Sequence, residues 1–355
     1  PADAAIVRAL ELLHHPIGAL RAAWAPGADL ALEPGRPNRI RVTRDGRTLS
    51  LEFDPTTRLI TAVATPAYHA MLGDVTLETS FEDYRDVQGL RLPGRIVTRL
   101  DGLTISEIQL DSIAVDAAVG DLAAPAAVRD APPPESGITV AAEELAPGVW
   151  HLTGGSHHSV LIELADHLML VEAPLGDART LAVIAKAREL RPDKPLRYVV
   201  NTHHHFDHAG GIRAAVAEGL TVITHEGNGA FIEGIVRRPH TFVQDALARN
   251  PRPVTIETLA NRRTFRDATR TVELHAVRGR HSGTMLVAYL PRERMLIQAD
   301  LFNPPPPGAP PWAAPFAGEL LQLVRSRGLR VERIVPIHGR VVPFAELEAV
   351  ATRAN

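Results

Sequence analysis

The apolar positions of the chain change period several times, and each change predicts a different element. From Ala2 to Trp24 the residues have a helix-forming composition, interrupted at Pro16, whose ring removes a backbone donor. From about Arg39 the period drops to two. Ile40 and Val42 lie in one run and Leu49, Leu51 and Phe53 in the next, with Asp45-Gly46 between them as a hairpin signal. Runs over 60–64, 75–81, 92–100 and 104–115 also read as strands, and Asp101-Gly102 predicts a tight turn between the last two. This part is expected to be an antiparallel sheet with one helix.

Residues 123–137, including Pro132, Pro133 and Pro134, are small, proline-rich and aperiodic, as suits a semi-rigid linker. The boundary placed there gives a domain over 1–135, in which no catalytic cluster is visible, and a second over 136–355. After the boundary, strands are expected at 148–152 and 160–171. Helix and strand then alternate, with helices over 178–190 and 210–218 and strands over 196–202 and 220–224, which is α/β logic. Later runs predict strands at 271–277, 284–290, 294–298 and 333–337, and helices at 316–327 and 343–352. A length of 355 residues suits two domains, each able to bury a core.

Composition narrows the chemistry. With 45% hydrophobic and 22% charged residues the chain has the balance of a folded protein. A net charge of −3, with basic residues spread along the chain, leaves no electrostatic footprint for nucleic acid. No run approaches the roughly 20 apolar residues of a membrane-spanning helix. The absence of cysteine excludes disulfides, thiolate metal sites, iron–sulfur clusters and cysteine nucleophiles, so any metal must sit on His, Asp or Glu. The chain begins at Pro1 with no initiator Met; a removed export signal, and a periplasmic or secreted location, are the expectation. No sequence feature specifies an oligomeric state.

The informative stretch is Thr202-His203-His204-His205-Phe206-Asp207-His208-Ala209-Gly210-Gly211, directly after the apolar strand ending at Val200 and Asn201. A strand end turning into a loop can aim His203 and His205 at one point and Asp207 and His208 at a second, which suggests two metals. Each needs more ligands, and three further residues at strand ends qualify: His281 between two strands, Asp300 after Met295–Ala299, and His338 after Ile334–Ile337.

These residues resemble the motifs of the metallo-β-lactamase superfamily over about 138–355. The resemblance implies an α+β fold, an αββα sandwich preceded by a smaller antiparallel β-sheet domain with a helix. It implies that His203, His205 and His281 hold one metal, that Asp207, His208 and His338 hold the second, and that Asp300 bridges both. Asp207 and Asp300 would be the catalytic acids. Two Zn2+ per chain are expected, with Fe or Mn as alternatives. A bridging hydroxide would cleave an ester, lactone or amide bond, a β-lactam included, in a small-molecule substrate. The acid at Asp300 resembles lactonases, hydroxyacylglutathione hydrolases and phosphodiesterases more than true zinc β-lactamases. Three rival readings remain: a phosphoester hydrolase, an iron-dependent persulfide dioxygenase-like oxidoreductase, and a non-catalytic protein that binds a lipophilic ligand.

Other residues are candidates for shaping a pocket. His157 and His158 follow Gly154-Gly155-Ser156 in an early hairpin which in the superfamily lies over the active site; they are candidate substrate contacts, with exposed loop histidines as the alternative. His204 should point away from its ligand neighbours, and His225 reads as a core or supporting histidine. The polyproline-like loop after Asp300 carries Trp312, and this residue with Phe302 and Phe316 is a candidate apolar wall for substrate, the alternative being a rigid surface spacer. Arg237, Arg238 and His240 suit either an anionic substrate group or a solvated basic turn. Residues 84–93 of the first domain resemble the curved sheet of lipoprotein-carrier-like modules, which implies holding a lipid, capping the catalytic mouth or aiding assembly.

Overall fold

The computed structural model describes residues 2–132, 137–308 and 314–353. The chain divides into two compact units, one formed by Pro1–His69 with Asp74–Pro134 and the other by Ala70–Gly73 with Glu135–Asn355.

In the first unit Pro16 separates two helices, Ala2–Leu13 and Pro16–Trp24. Pro16 opens the second helix, where its missing N–H costs nothing, and His15 caps that end by accepting the Ile17 N–H at 3.3 Å. The sheet has seven strands in the order Asp29–Glu33, Arg36–Arg44, Arg47–Phe53, Ile60–His69, Gly73–Glu82, Arg95–Leu100 and Leu103–Gln109. Both expected hairpins form. Asp45 and Gly46 have φ of 49° and 73°, and Asp101 and Gly102 have φ of 48° and 81°; two successive left-handed residues suit the twist of a two-residue turn. Ala19 of the second helix packs on Val42, Leu49, Leu51, Val63 and Phe81 of the sheet. Two features depart from the sequence pattern. The edge strand Asp29–Glu33 buries no residue fully and so carries no alternation to read. The run 92–100 breaks at Pro93-Gly94, its first residue closing a small hairpin of Arg85–Val87 and Leu90–Leu92.

The second unit has four layers. A seven-stranded sheet runs in the order Ala141–Ala146, Val149–Thr153, Ser159–Glu163, Leu168–Val171, Leu196–Val200, Thr221–His225 and Ile256–Leu259, antiparallel at first and parallel from Leu168–Val171 onward. A six-stranded sheet runs in the order Arg262–Arg266, Thr271–Val277, Met285–Leu290, Met295–Gln298, Arg333–Pro336 and Val342–Pro343. Val160, Ile162, Met169, Val171 and Ile223 of the first sheet meet Val272, Leu274, Leu286, Ile297 and Val335 of the second in one buried core. Helices cover the outer faces: Asp177–Leu190 and Ile212–Ala217 share a core with the first sheet, and Ala317–Ser326 with Phe344–Arg353 share one with the second. The helix Asp177–Leu190 buries Thr180, Val183, Ile184 and Ala187, a stripe at helical spacing. The architecture is the αββα sandwich.

The expected strand over 160–171 is two strands joined by a turn at Ala165-Asp166. Both are covered on two faces, so the apolar run shows no period from which to locate the turn. The helix Glu226–Arg237 carries Gly227, Gly229 and Gly234 and has poor intrinsic propensity. It forms because His225 accepts the Gly227 N–H at 3.0 Å at its start and because Ile232 and Ile235 are buried. Within the proline-rich stretch Ala126–Arg129 makes one helical turn. No helix of the described residues is long and apolar enough to cross a membrane.

Candidate metal centre

The histidine-rich turn follows the strand Leu196–Val200, which is paired on both sides by parallel neighbours, so its carboxyl end is fixed. Asn201 and Thr202 are fully buried, and the Asn201 amide donates to the His203 carbonyl at 2.7 Å, shaping the turn. The chain then enters the short helix Phe206–Ala209 and passes close beside the end of the strand Leu168–Val171. Gly211 makes this approach possible: a Cβ there would lie 1.8 Å from Thr180 Oγ1 and 2.9 Å from the Ala173 carbonyl oxygen.

His281, Asp300 and His338 arrive from the second sheet. Gln298, at the end of Met295–Gln298, accepts the N–H groups of Leu301 and Phe302, each at 3.1 Å, and thereby holds the turn that presents Asp300. Asp300 itself has φ of 61°, a left-handed conformation uncommon for a residue with a Cβ and concentrated at functional sites.

Two groups of donors result. His203, His205, His281 and Asp300 form one, and His157, Asp207, His208 and His338 the other; within each, the donor atoms lie within 4.8 Å of one another. Asp300 joins the two. Its Oδ2 is 3.4 Å from His203 Nε2, 3.0 Å from His281 Nε2 and 3.0 Å from His208 Nε2, while its Oδ1 is 3.0 Å from His338 Nε2. Thus the four separated segments picked from the sequence meet at one place.

The set fits divalent cations. The Nδ1–H of His208 donates to Glu172 at 2.5 Å and that of His338 to the Ser156 carbonyl at 3.2 Å, which aims each Nε2 inward, where a metal ion can take the place of its proton. Those two Nε2 atoms stand 3.1 Å apart, and His281 and His203 bring their Nε2 atoms to 3.2 Å. Nitrogens at such separations share either a proton or a metal ion. Tetrahedral coordination at about 2.0–2.1 Å puts neighbouring donors about 3.3 Å apart, close to the spacing found.

The local field agrees. Although burial opposes ionisation of Asp300, hydrogen bonds with His203, His208 and His338 hold its carboxyl far below the usual carboxylate range. Burial also opposes a charge on His208, yet the Glu172 and Asp300 carboxylates beside it push its pKa up to about 10. Burial lowers His203, and burial with the neighbouring histidines brings His205 down to about 4, so both present neutral imidazoles. The cluster is a region of negative potential that attracts positive charge.

Glu172 was not picked from the sequence. It is fully buried at the end of Leu168–Val171 with φ of 76°, and its two oxygens accept from the Thr202 N–H at 2.7 Å and from His208. An acid at the carboxyl end of an apolar strand, the same signal that singled out Asp300, was available to find it.

The pocket candidates divide. A cavity of about 350 Å³ opens over Asp207, His281, Asp300 and His338 and is walled by Leu301 and Phe316. The Phe316 ring centroid lies 5.2 Å from that of His281. Phe302 is 2% exposed in the core beneath the outer helices and forms no wall. Trp312 lies outside the described residues. Asn303 also lines the cavity, and its Oδ1 is buried with no hydrogen-bond partner among the described residues. His157 turns to Asp207, with Nε2 3.1 Å from Oδ2, whereas His158 packs edge-on against His151 at 4.7 Å between centroids. His204 packs towards Phe231, His225 is the helix cap described above, and the buried His240 lies 3.2 Å from Asp245.

The model of the family described as the metallo-beta-lactamase superfamily matches residues 152–338, just over half of the chain. No curated protein matches. Among solved structures, the metallo-beta-lactamase from Pontibacter korlensis is 20% identical over 60% of this chain and 98% of its own, with a TM-score of 0.45. The metallo-beta-lactamase FIM-1 from Pseudomonas aeruginosa, in its mono-zinc form, is 18% identical over 61% of this chain and 94% of its own, with a TM-score of 0.44. The metallo-beta-lactamase from Hirschia baltica is 19% identical over 61% of this chain and 97% of its own, with a TM-score of 0.45.

Proposed function

The chain belongs to the metallo-β-lactamase superfamily, and from that premise we propose that it is a dinuclear metal-dependent hydrolase of ester, lactone or amide bonds in small, partly apolar molecules. The observation that carries the reading is the position of Asp300, a carboxylate with histidine nitrogens of both donor groups about 3 Å from its oxygens. His203, His205 and His281 would hold one ion, Asp207, His208 and His338 the other, and Asp300 both, with zinc as the proposed metal. Divalent cations at such a site polarise an acyl or phosphoryl oxygen and make water acidic enough to act as a nucleophile near neutral pH.

The remaining work falls to the protein. Asp300 and Asp207 keep their carboxylates ionised even before an ion binds; for Asp207 burial acts against this, and the hydrogen bond with His157 and the charge of His208, both of which an ion would replace, outweigh it. Glu172 and the Ser156 carbonyl fix the ring orientation and tautomer of His208 and His338. Leu301 and Phe316 give one side of the cavity an apolar surface for the body of a substrate, and the Asn303 amide is available to orient a polar substituent.

The test is turnover of a panel of lactones, aryl esters, β-lactams, thioesters and phosphoesters by zinc-loaded protein, with metal content measured on the same sample. The reading expects two zinc ions per chain and hydrolysis of an acyl substrate that a chelator abolishes and zinc restores. One iron per chain with oxygen consumption would replace it with an oxidoreductase, and a fully loaded protein inert towards the whole panel would remove it.

A further inference from the structure

By sequence His157 is a candidate substrate contact or an exposed loop histidine, but its surroundings are those of a ligand. It is 8% exposed, so it offers little surface to a substrate. Its ring centroid is 4.0 Å from that of His338 and 5.4 Å from that of His208, and its Nε2 is 3.1 Å from Asp207 Oδ2. Its other nitrogen, Nδ1, is 2.9 Å from the Ser156 hydroxyl. A proton on Nδ1 donated to that hydroxyl leaves the Nε2 lone pair directed into the donor group, the arrangement found at His208 and His338.

The loop that carries His157 is braced. The buried Arg179 guanidinium donates to the carbonyls of Thr139 at 2.7 Å, Thr153 at 3.1 Å, Leu152 at 3.3 Å and His157 itself at 3.3 Å. The next residue ties the loop to the other sheet, since the His158 N–H donates to the Ile337 carbonyl at 2.9 Å, immediately before His338. The imidazole is therefore held in place on both sides.

We propose that His157 is a fourth side-chain ligand at the Asp207, His208 and His338 site. With it, that site has four donors of its own before Asp300 is counted, the ligand number of a closed tetrahedral site. The exchangeable position that a substrate needs then belongs to the ion of His203, His205 and His281, on the side where Phe316 lines the cavity. This assignment rests on the metal-dependent reading above.

The test is binding of Co2+ alone to the full chain, by competition with a chromophoric chelator and by the visible spectrum of the bound ion, in the wild type and in His157→Ala and His157→Gln. Glutamine keeps an amide N–H that can reach Asp207 but is a poor substitute for imidazole as a ligand. The expected result is two ions in the wild type; in both variants, one ion keeps wild-type affinity and the other binds at least ~10-fold more weakly with an altered spectrum. Retention of one tight ion shows that the variants are folded. If His157→Gln binds both ions with wild-type affinity and spectrum, His157 only hydrogen-bonds Asp207 and the proposal fails. It fails equally if both variants lose both ions together, which would mark a structural role. A wild type that binds fewer than two ions would overturn the dinuclear reading as well.

Discussion

Replacing Glu172 by Gln changes one atom at the back of the centre and should move a proton at the front. In the wild type both carboxylate oxygens accept, one from the Thr202 N–H at 2.7 Å and the other from the His208 Nδ1–H at 2.5 Å, and the side chain is fully buried. Glutamine can accept only once. The Thr202 N–H cannot be moved, so the amide oxygen turns to it and the amide N–H group faces His208. His208 must then accept at Nδ1 and carry its proton on Nε2, which points at Asp300 and His338. A protonated Nε2 is not a ligand.

In the metal-free fold Glu172→Gln gives up the charge of the ion pair with His208 but strands no buried donor, a loss of about 1–3 kcal/mol. Glu172→Ala strands both donors and breaks a buried ion pair, for about 3–5 kcal/mol. The ion held by His208 should bind ~10–100-fold more weakly in Glu172→Gln. Urea denaturation of metal-free protein gives the first quantity and competition for Zn2+ the second. The reasoning fails if Glu172→Gln binds both ions as the wild type does, or if Glu172→Gln is destabilised as much as Glu172→Ala.

Three further outcomes are expected. Asp300→Asn, which keeps the shape of the joining side chain and removes its charge, should release at least one ion and lower turnover by more than ~100-fold, beyond the usual cost of losing a ligand's supporting partner; elemental analysis with steady-state kinetics would check this. Gly211→Ala should cost about 1–3 kcal/mol in urea denaturation, because the new Cβ displaces Thr180 and with it the 3.2 Å hydrogen bond from the Thr180 hydroxyl to the Pro174 carbonyl. In the first unit, burial lowers His14 from an ordinary 6.5 to about 4. The unfolded chain therefore takes up the proton first, so this stabilisation is complete above pH 6.5 and declines as pH falls towards 4. Between pH 7 and 5 His14 accounts for a loss of about 2 kcal/mol, so stability should decline by about that much less in His14→Gln than in the wild type, and an equal decline in the two would show that His14 contributes nothing.

Features with local causes are legible in the amino-acid order. The turns at Asp45-Gly46 and Asp101-Gly102 follow from two residues that accept a left-handed backbone, and the helix break at Pro16 follows from a missing N–H. His203, His205, Asp207 and His208 sit within six residues at the end of one strand, so their spacing was enough to separate them into two directions. His281, Asp300 and His338 were legible as polar residues closing apolar strands. The turn inside 160–171 was not, because strands buried on both faces carry no period.

Roles that depend on which distant segments touch come from the packing of the folded chain. Glu172 holds His208 across 36 residues, and His157 reaches Asp207 across 50. Of the two histidines at 157 and 158, equivalent as sequence, one enters the donor group and the other packs on His151. Phe302 and Phe316 part in the same way, one into the core and one onto the cavity. Successive or near side chains leave the backbone in different directions, and what each meets is set by the packing of two sheets whose strands are far apart along the chain.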